Sequence, residues 1–406
     1  MAVTERFVGQ PVLRKEDAPL LQGQGSFVDN MSIAGMVHMA IVRSPFAHAR
    51  VVKVDVSKAL EMPGVIAAWS ATDLTDEWAG PLPMVWPITE DIKTSDHWPL
   101  TKDKARFQGD GVAVVLGESR GLADDGAEAV DVEYDALPAV LDIEDAVRDG
   151  APLVHDELGT NAVVHWSHGG GGDQSLFESA PVKLKLRYEA PRTTPSAIEP
   201  RGALASPVPS LGEFTLWTST QIPHIARVTL SGTTGIPEHK LRIVAPDVGG
   251  SFGGKLDVYA EEALCLALAR KTGRPVKWIE SRSENLAVTI HGRGVIHDVE
   301  VAATEEGKIL GFKVIELCDM GAYFQLLTPG IPELGGWVYM GPYDTQAYWY
   351  EFKGVMTNAT PTDAYRGAGR PEATFVVERL VDSFARKIGM DPAEVRRKNF
   401  LPPSAE

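Results

Sequence analysis

Apolar and polar positions alternate along this chain in short runs, separated by stretches of helical spacing and by turn residues. After a polar start, GQGSFVDN at residues 23–30 leads into Met36–Arg43, a β-rich run that predicts a strand. HARVVKVDVSKAL at 48–60 pairs a strand-like alternation with a short helix. PGVIAAWSATDL at 63–74 repeats that arrangement, with a helix start at Ser70 or Thr72. Gly111–Leu116 is a compact apolar strand, Leu122–Val130 reads as a helix, and VDVEYDALPAVL returns to strand before a proline break. These runs make a first α/β unit over residues 1–145.

Asp142 to Gly172 carries Pro152, the polar DELGTN and the run Gly169–Gly172, and so reads as a connector, placed at 146–173. Residues 174–406 form the second unit. Strand-like Val182–Tyr188 and Glu213–Trp217 precede a long helix over Asp257–Lys271, whose apolar face carries Leu264, Leu266, Ala267 and Leu268 and which Gly273 and Pro275 stop. A second long helix, Pro371–Ile388, ends at Gly389. No repeat of fixed period is visible.

Composition narrows the function. A chain of 406 residues, 44% hydrophobic and 23% charged, has the mix of a folded globular protein of two or three domains. Its net charge of −16 disfavours nucleic acid and anionic membrane as partners. The two cysteines, Cys265 and Cys318, show no CxxC spacing, so a cysteine-ligated iron–sulfur cluster is not expected here. The start MAVTERFVGQ lacks the pattern of a secretory signal and no apolar run reaches membrane-spanning length, which makes cytoplasmic location the expectation.

Three segments could carry chemistry. Ala245–Lys255, APDVGGSFGGK, sets four glycines, Gly250 and Gly253 among them, just ahead of a helix, where backbone N–H groups can approach an anion. It is neither a P-loop nor a GxGxxG loop, and by its residues it reads equally as a tight turn or a ligand loop. Thr362–Pro371, TDAYRGAGRP, again puts glycines before a helix, beside Arg366 and Arg370, which would grip an anion or else stay solvated. Trp217–Pro223, WTSTQIP, is a strand running into a loop that leaves Gln221 at a strand end, as a turn residue or as a hydrogen-bond donor. The histidines, His38, His155 and His297 among them, lack HxxxH or HxH spacing, so none is assigned a metal.

In this order the segments resemble the molybdenum-binding large subunit of the xanthine dehydrogenase, aldehyde oxidase and carbon-monoxide dehydrogenase family. GQGSFVDN, IVRSPFAHARV and PGVIAAWSATDL are similar to its N-terminal α/β hammerhead domain. EPRG at Glu199–Gly202, TSTQ, VGGSFGGK, AYRGAGRPEA and VRRKNF are similar to its first molybdenum-cofactor domain. The resemblance implies an α+β fold with those two domains in succession, and a metal held through a pterin dinucleotide, the cytosine form being expected, rather than by side chains. It implies that Gln221 hydrogen-bonds the metal centre, that Phe252 and Gly253 lie over it with Gly250 in the same loop, and that Arg366 and Gly367 flank the cofactor.

Departures from the pattern narrow the expected chemistry. Carbon-monoxide dehydrogenases proper carry a copper-bearing cysteine where this chain has Gly367. Purine hydroxylases carry a glutamate and an aromatic residue where this chain has Leu256 and Ala368, which would line the substrate pocket. Family subunits continue for roughly another chain of this size, with a second cofactor domain and a glutamate general base, whereas this sequence stops just past VRRKNF. The resemblance therefore implies a hydroxylase of aldehydes or N-heterocycles, taking oxygen from water and completed by three partners. These are a chain with the second cofactor domain and the base, a 2Fe-2S subunit and an FAD subunit. The other reading is a truncated or non-catalytic binding or assembly protein that keeps the fold.

Overall fold

The structure is a computed structural model and describes residues 7–84, 87–170 and 175–403. In chain order its strands are β1 (Val37–Arg43), β2 (Ala49–Asp55), β3 (Val65–Ser70), β4 (Lys104–Ala105), β5 (Gly111–Gly117) and β6 (Asp131–Ala136). There follow β7 (Ala162–Gly170), β8 (Val182–Ala190), β9 (Gly202–Val208), β10 (Glu213–Thr218), β11 (Leu241–Val244) and β12 (Val276–Ile279). The last are β13 (Val295–Ala303), β14 (Ile309–Gly321) and β15 (Ala347–Met356). Helices and strands mix along the described residues, the α+β class that the resemblance implies.

The strands form a seven-stranded sheet in the order β11-β10-β9-β12-β1-β5-β3, a five-stranded sheet β7-β15-β14-β13-β8 and a small sheet β4-β2-β6. β5 is buried on both faces from Val112 onward and lies inside the large sheet, which explains its unbroken apolar run GVAVVL. The helix Arg120–Glu128 lies against it, capped by the Ser119 hydroxyl, which accepts from the Leu122 N–H. The large sheet does not stop at residue 145. Val37 of β1 pairs in parallel with Val276 of β12, so strands from both ends of the sequence share one layer.

The helix Ala260–Thr272 is buried from Glu261 to Ala269 and ends at Gly273 with φ 67°, the left-handed cap that its sequence predicts. It begins three residues later than the pattern suggests, because Asp257 is taken up in the loop described below. The helix Arg370–Ile388 ends in the same way at Gly389. A hydrophobic cluster including Val301, Phe312, Tyr350, Val376, Leu380 and Phe384 joins this helix to the five-stranded sheet.

The connector expected at 146–173 needs correction. Ala162–Gly170 is β7, an edge strand paired antiparallel to β15, with His168 opposite Tyr350 and Val164 opposite Gly354. Before it, the Asn161 amide donates to the carbonyls of Ala146 and Pro152 and accepts the Val154 N–H, which fixes the preceding turn. Glycines 171 and 172 lie outside the described residues.

Candidate functional site

Two glycine-bearing loops and one strand end converge. The first loop follows β11 and is bent by three positive φ angles, at Gly250 (98°), Phe252 (57°) and Gly253 (105°). Gly253 has to be glycine for a second reason: a β-carbon there would sit on the carbonyl oxygen of Ala364, in the other loop. Phe252 carries its side chain in the left-handed region, a conformation that costs roughly 1–2 kcal/mol and that the surrounding bonds must hold. The residue is 43% exposed.

Gln221 follows the end of β10. Its N–H donates to the Lys255 carbonyl (2.9 Å), and its side-chain oxygen accepts from the Gly253 N–H (3.1 Å) and from the Ser251 hydroxyl. With the oxygen committed to the loop, the amide NH2 is the end that faces outward as a donor.

Glu199 of EPRG, to which the sequence assigned no separate role, clamps the loop at both ends. Its carboxylate accepts from the Gly249 N–H and from the buried Lys255 ammonium, each at 2.7 Å. Burial lowers the pKa of that ammonium, and its bond to Glu199 works against the shift. Arg201 of the same motif is buried between Glu261 (2.9 Å) and Glu280 (2.7 Å), and its guanidinium lies 3.7 Å from the Tyr259 ring centre. The long helix is thereby tied to β9 directly beneath the loop.

The second loop, Thr362–Gly369, runs into the helix Arg370–Ile388. Gly367 (103°), Ala368 (46°) and Gly369 (83°) all have positive φ, and the Ala368 N–H closes a turn on the Tyr365 carbonyl (2.8 Å). At Gly367 a β-carbon would collide with the Pro371 ring, so a cysteine there would be both strained and crowded. The loops are joined by the Arg366 N–H, which donates to the Phe252 carbonyl (3.0 Å), and the exposed Arg366 guanidinium stands 5.9 Å from the Phe252 ring centre. Arg370 instead turns back on the carbonyls of Gly367 and Ala368, both at 3.3 Å.

Below the junction two aspartates are buried. Asp257 accepts the N–H groups of Val258 and Leu326 on one oxygen, while the other oxygen is buried without a partner among the described residues. Asp363 accepts from the N–H groups of Leu327 and Ala364. Burial, and then the charge of Asp363, push Asp257 well above the usual carboxylate range, and burial raises Asp363 to about 6.

The structure thus gathers Gln221, Gly250, Phe252, Gly253 and Arg366 into one surface, with Gly367 at its edge. Leu256 and Ala368 are both half-buried, each bonded within its own loop: the Leu256 N–H reaches Gly253 (2.9 Å), and Ala368 folds back on Tyr365. Sequence reasoning missed Glu199, Lys255, Arg293 and Glu372, which hold these loops from behind. For Arg293 the one local signal is its place between Gly292 and Gly294. Among the described residues no group of three or more His, Cys, Asp or Glu could hold a metal ion, and no helix is long and apolar enough to cross a membrane.

The model of the aldehyde oxidase and xanthine dehydrogenase a/b hammerhead domain matches residues 22–138, and that of the molybdopterin cofactor-binding domain matches residues 154–400. The carbon monoxide dehydrogenase large chain of Hydrogenophaga pseudoflava is 39% identical over 95% of this chain and 49% of its own length. The nicotinate dehydrogenase large molybdopterin subunit of Eubacterium barkeri is 30% identical over 97% of this chain and 89% of its own length. Quinoline 2-oxidoreductase from Pseudomonas putida 86 superposes with a TM-score of 0.92 at 36% identity, covering 97% of this chain and 50% of that one. The chain therefore spans about half the length of two of these relatives and most of the third. With both domains matched in sequence order, it belongs to the molybdopterin cofactor-binding proteins of the aldehyde oxidase and xanthine dehydrogenase family.

Proposed function

We propose that this chain is one half of the molybdenum-cofactor subunit of a cytoplasmic hydroxylase, and that it acts only when joined to a chain carrying the second cofactor domain. The observation that carries this is the Gln221 amide. Its oxygen is held by Gly253 and Ser251, which turns a donor outward beside Phe252 and Arg366. Such a surface fits a metal held through a pterin dinucleotide: it offers donors, a ring and a guanidinium. The E. barkeri relative, a large molybdopterin subunit near this chain's own length, supports a divided subunit.

When bound, the cofactor, in its cytosine dinucleotide form, would supply two-electron oxidation of carbon with water as the oxygen source. This chain's part is to bind and orient. Gln221 would donate a hydrogen bond to the group, Gly250 and Gly253 would let backbone approach it, and the Phe252 ring would shield it from water. Arg366 offers a cation to an anionic group, with Gly367 leaving room beside it. Leu256 and Ala368 face an aldehyde or N-heterocyclic substrate with apolar surface. The general base comes from the partner half, and electrons leave through 2Fe-2S and FAD subunits. Affinity purification of the tagged chain from its native cell tests this: a second cofactor-domain chain and a pterin dinucleotide, both identified by mass spectrometry, are expected. A chain that purifies with neither would favour a non-catalytic protein that keeps the fold.

A further inference from the structure

Arg293 stands just ahead of β13 with φ 67°, a left-handed backbone that a residue with a β-carbon adopts at a cost. The neighbouring Gly292 is pressed against Tyr365, whose side chain a β-carbon at 292 would meet, and it exchanges two backbone hydrogen bonds with Thr193 (2.8 and 3.0 Å). The bend therefore aims the Arg293 side chain at the second loop. Its guanidinium donates to the Tyr365 carbonyl (3.2 Å), the Arg366 carbonyl (3.0 Å) and a Glu372 carboxylate oxygen (3.0 Å), and lies 4.8 Å from the Tyr365 ring centre. One planar fork thus takes the two carbonyls that precede Gly367 and pins them to the first turn of the following helix.

Glu372 is 5% exposed, and its other oxygen is buried with no protein partner among the described residues. Glu372, Arg293, Glu316, Asp319 and Thr362 are among the residues bordering a cavity of about 30 Å³, which has room for one or two water molecules beside the Glu372 carboxylate.

We infer that Arg293, held by Glu372, is a positioning residue that sets the Tyr365–Ala368 turn and with it the presentation of the Arg366 side chain. The part concerning Arg366 rests on the cofactor-site reading above. The clamp itself is a property of this chain, so hydrogen exchange can test it separately.

The experiment uses the purified complex that contains this chain, with Arg293→Lys, which keeps the charge and loses the fork, and Glu372→Gln, which keeps an acceptor towards Arg293. Hydrogen–deuterium exchange of the Arg366, Ala368 and Arg370 amides is read beside the melting temperature, the molybdenum content, and kcat and KM. Arg293→Lys should speed exchange at those three amides by about tenfold or more, with the rest of the chain unaltered. It should lower kcat by roughly ten- to a hundredfold, more than it raises KM, because small misplacements at a reacting centre are costly. Glu372→Gln should give smaller changes of the same kind. Unchanged exchange at the turn in Arg293→Lys would overturn the inference, and so would faster exchange spread evenly over the chain, which would make the residue an ordinary core anchor. If the turn loosens while Arg366→Ala leaves molybdenum content and kcat intact, the clamp stands and the cofactor role of Arg366 falls.

Discussion

Gln221 is the residue on which most of the proposed chemistry turns. Its backbone and its side-chain oxygen both bond to the first loop, so truncation removes an outward donor and two inward contacts but no core packing. In the assembled enzyme Gln221→Ala should lower turnover by about 2–4 kcal/mol of transition-state stabilisation, with assembly kept. Steady-state kinetics at full molybdenum occupancy check this, and unchanged turnover would leave Gln221 a turn residue. The Asp257–Asp363 pair gives a second prediction. Both carboxyls keep their protons to higher pH in the folded chain than an unfolded carboxylate does. The folded state therefore binds more protons from about pH 4 upward, and stability falls as pH rises through about 6 for Asp363 and beyond it for Asp257. Asp257→Asn cannot ionise, keeps the acceptor for Val258 and Leu326, and puts an amide where the unpartnered oxygen lies. Denaturant unfolding should find this variant more stable than the parent by on the order of 1–3 kcal/mol at pH 8, with the gap closing towards pH 4. A gap independent of pH would contradict the assignment. At this scale the glycines are legible in the sequence as a tight turn or a ligand loop, and Gln221 as a strand-end residue whose task the local pattern leaves open. Glu199, Arg293 and Glu372 are not, since a lone charged residue reads the same whether it is solvated or clamps a loop from fifty or more positions away.

At the scale of elements, the apolar runs and their stop residues give the long helices to within about three residues, and β5 by its unbroken burial. β7 escapes because Trp166-Ser-His-Gly-Gly170 mixes histidine and glycine into a weak alternation, and an edge strand paired on one side needs no stronger one. The meeting of the two glycine loops, through Arg366 to Phe252 and Gly253 against Ala364, joins segments about 110 residues apart that no local pattern connects. That junction bears on substrate. Gly367 is held at φ 103° against Pro371, which disfavours a copper-bearing cysteine, and on the proposed reading Leu256 and Ala368 stand where purine hydroxylases carry polar and aromatic groups. Xanthine and carbon monoxide should be poor substrates beside an aromatic aldehyde or a nicotinate-like heterocycle, by about tenfold or more in kcat/KM, the scale of a lost buried polar partner. Dye-reduction assays of the complex check this, and xanthine or carbon monoxide giving the highest kcat/KM would show that these three positions have been misread.

For the whole molecule, the order of the two domains follows from the motifs, whereas the continuity of the large sheet does not. β1 and β12 lie about 240 residues apart, and their pairing is a tertiary fact that hydropathy does not encode. That sheet, the helix Ala260–Thr272 beneath the first loop and the Arg201 ion pairs give the chain a folded frame that presents Gln221, Phe252 and Arg366 on an open face. On the present account this face is half of a cofactor site, so the chain should fold alone and still hold little metal. The most direct measurement is molybdenum content per chain, by elemental analysis, for the chain purified alone and for the same chain purified with its partner half. Well below one tenth of an equivalent is expected in the first and close to one in the second, since a cofactor bound between two surfaces loses most of its affinity when one is missing. Near-stoichiometric molybdenum in a monodisperse preparation of the isolated chain would contradict it.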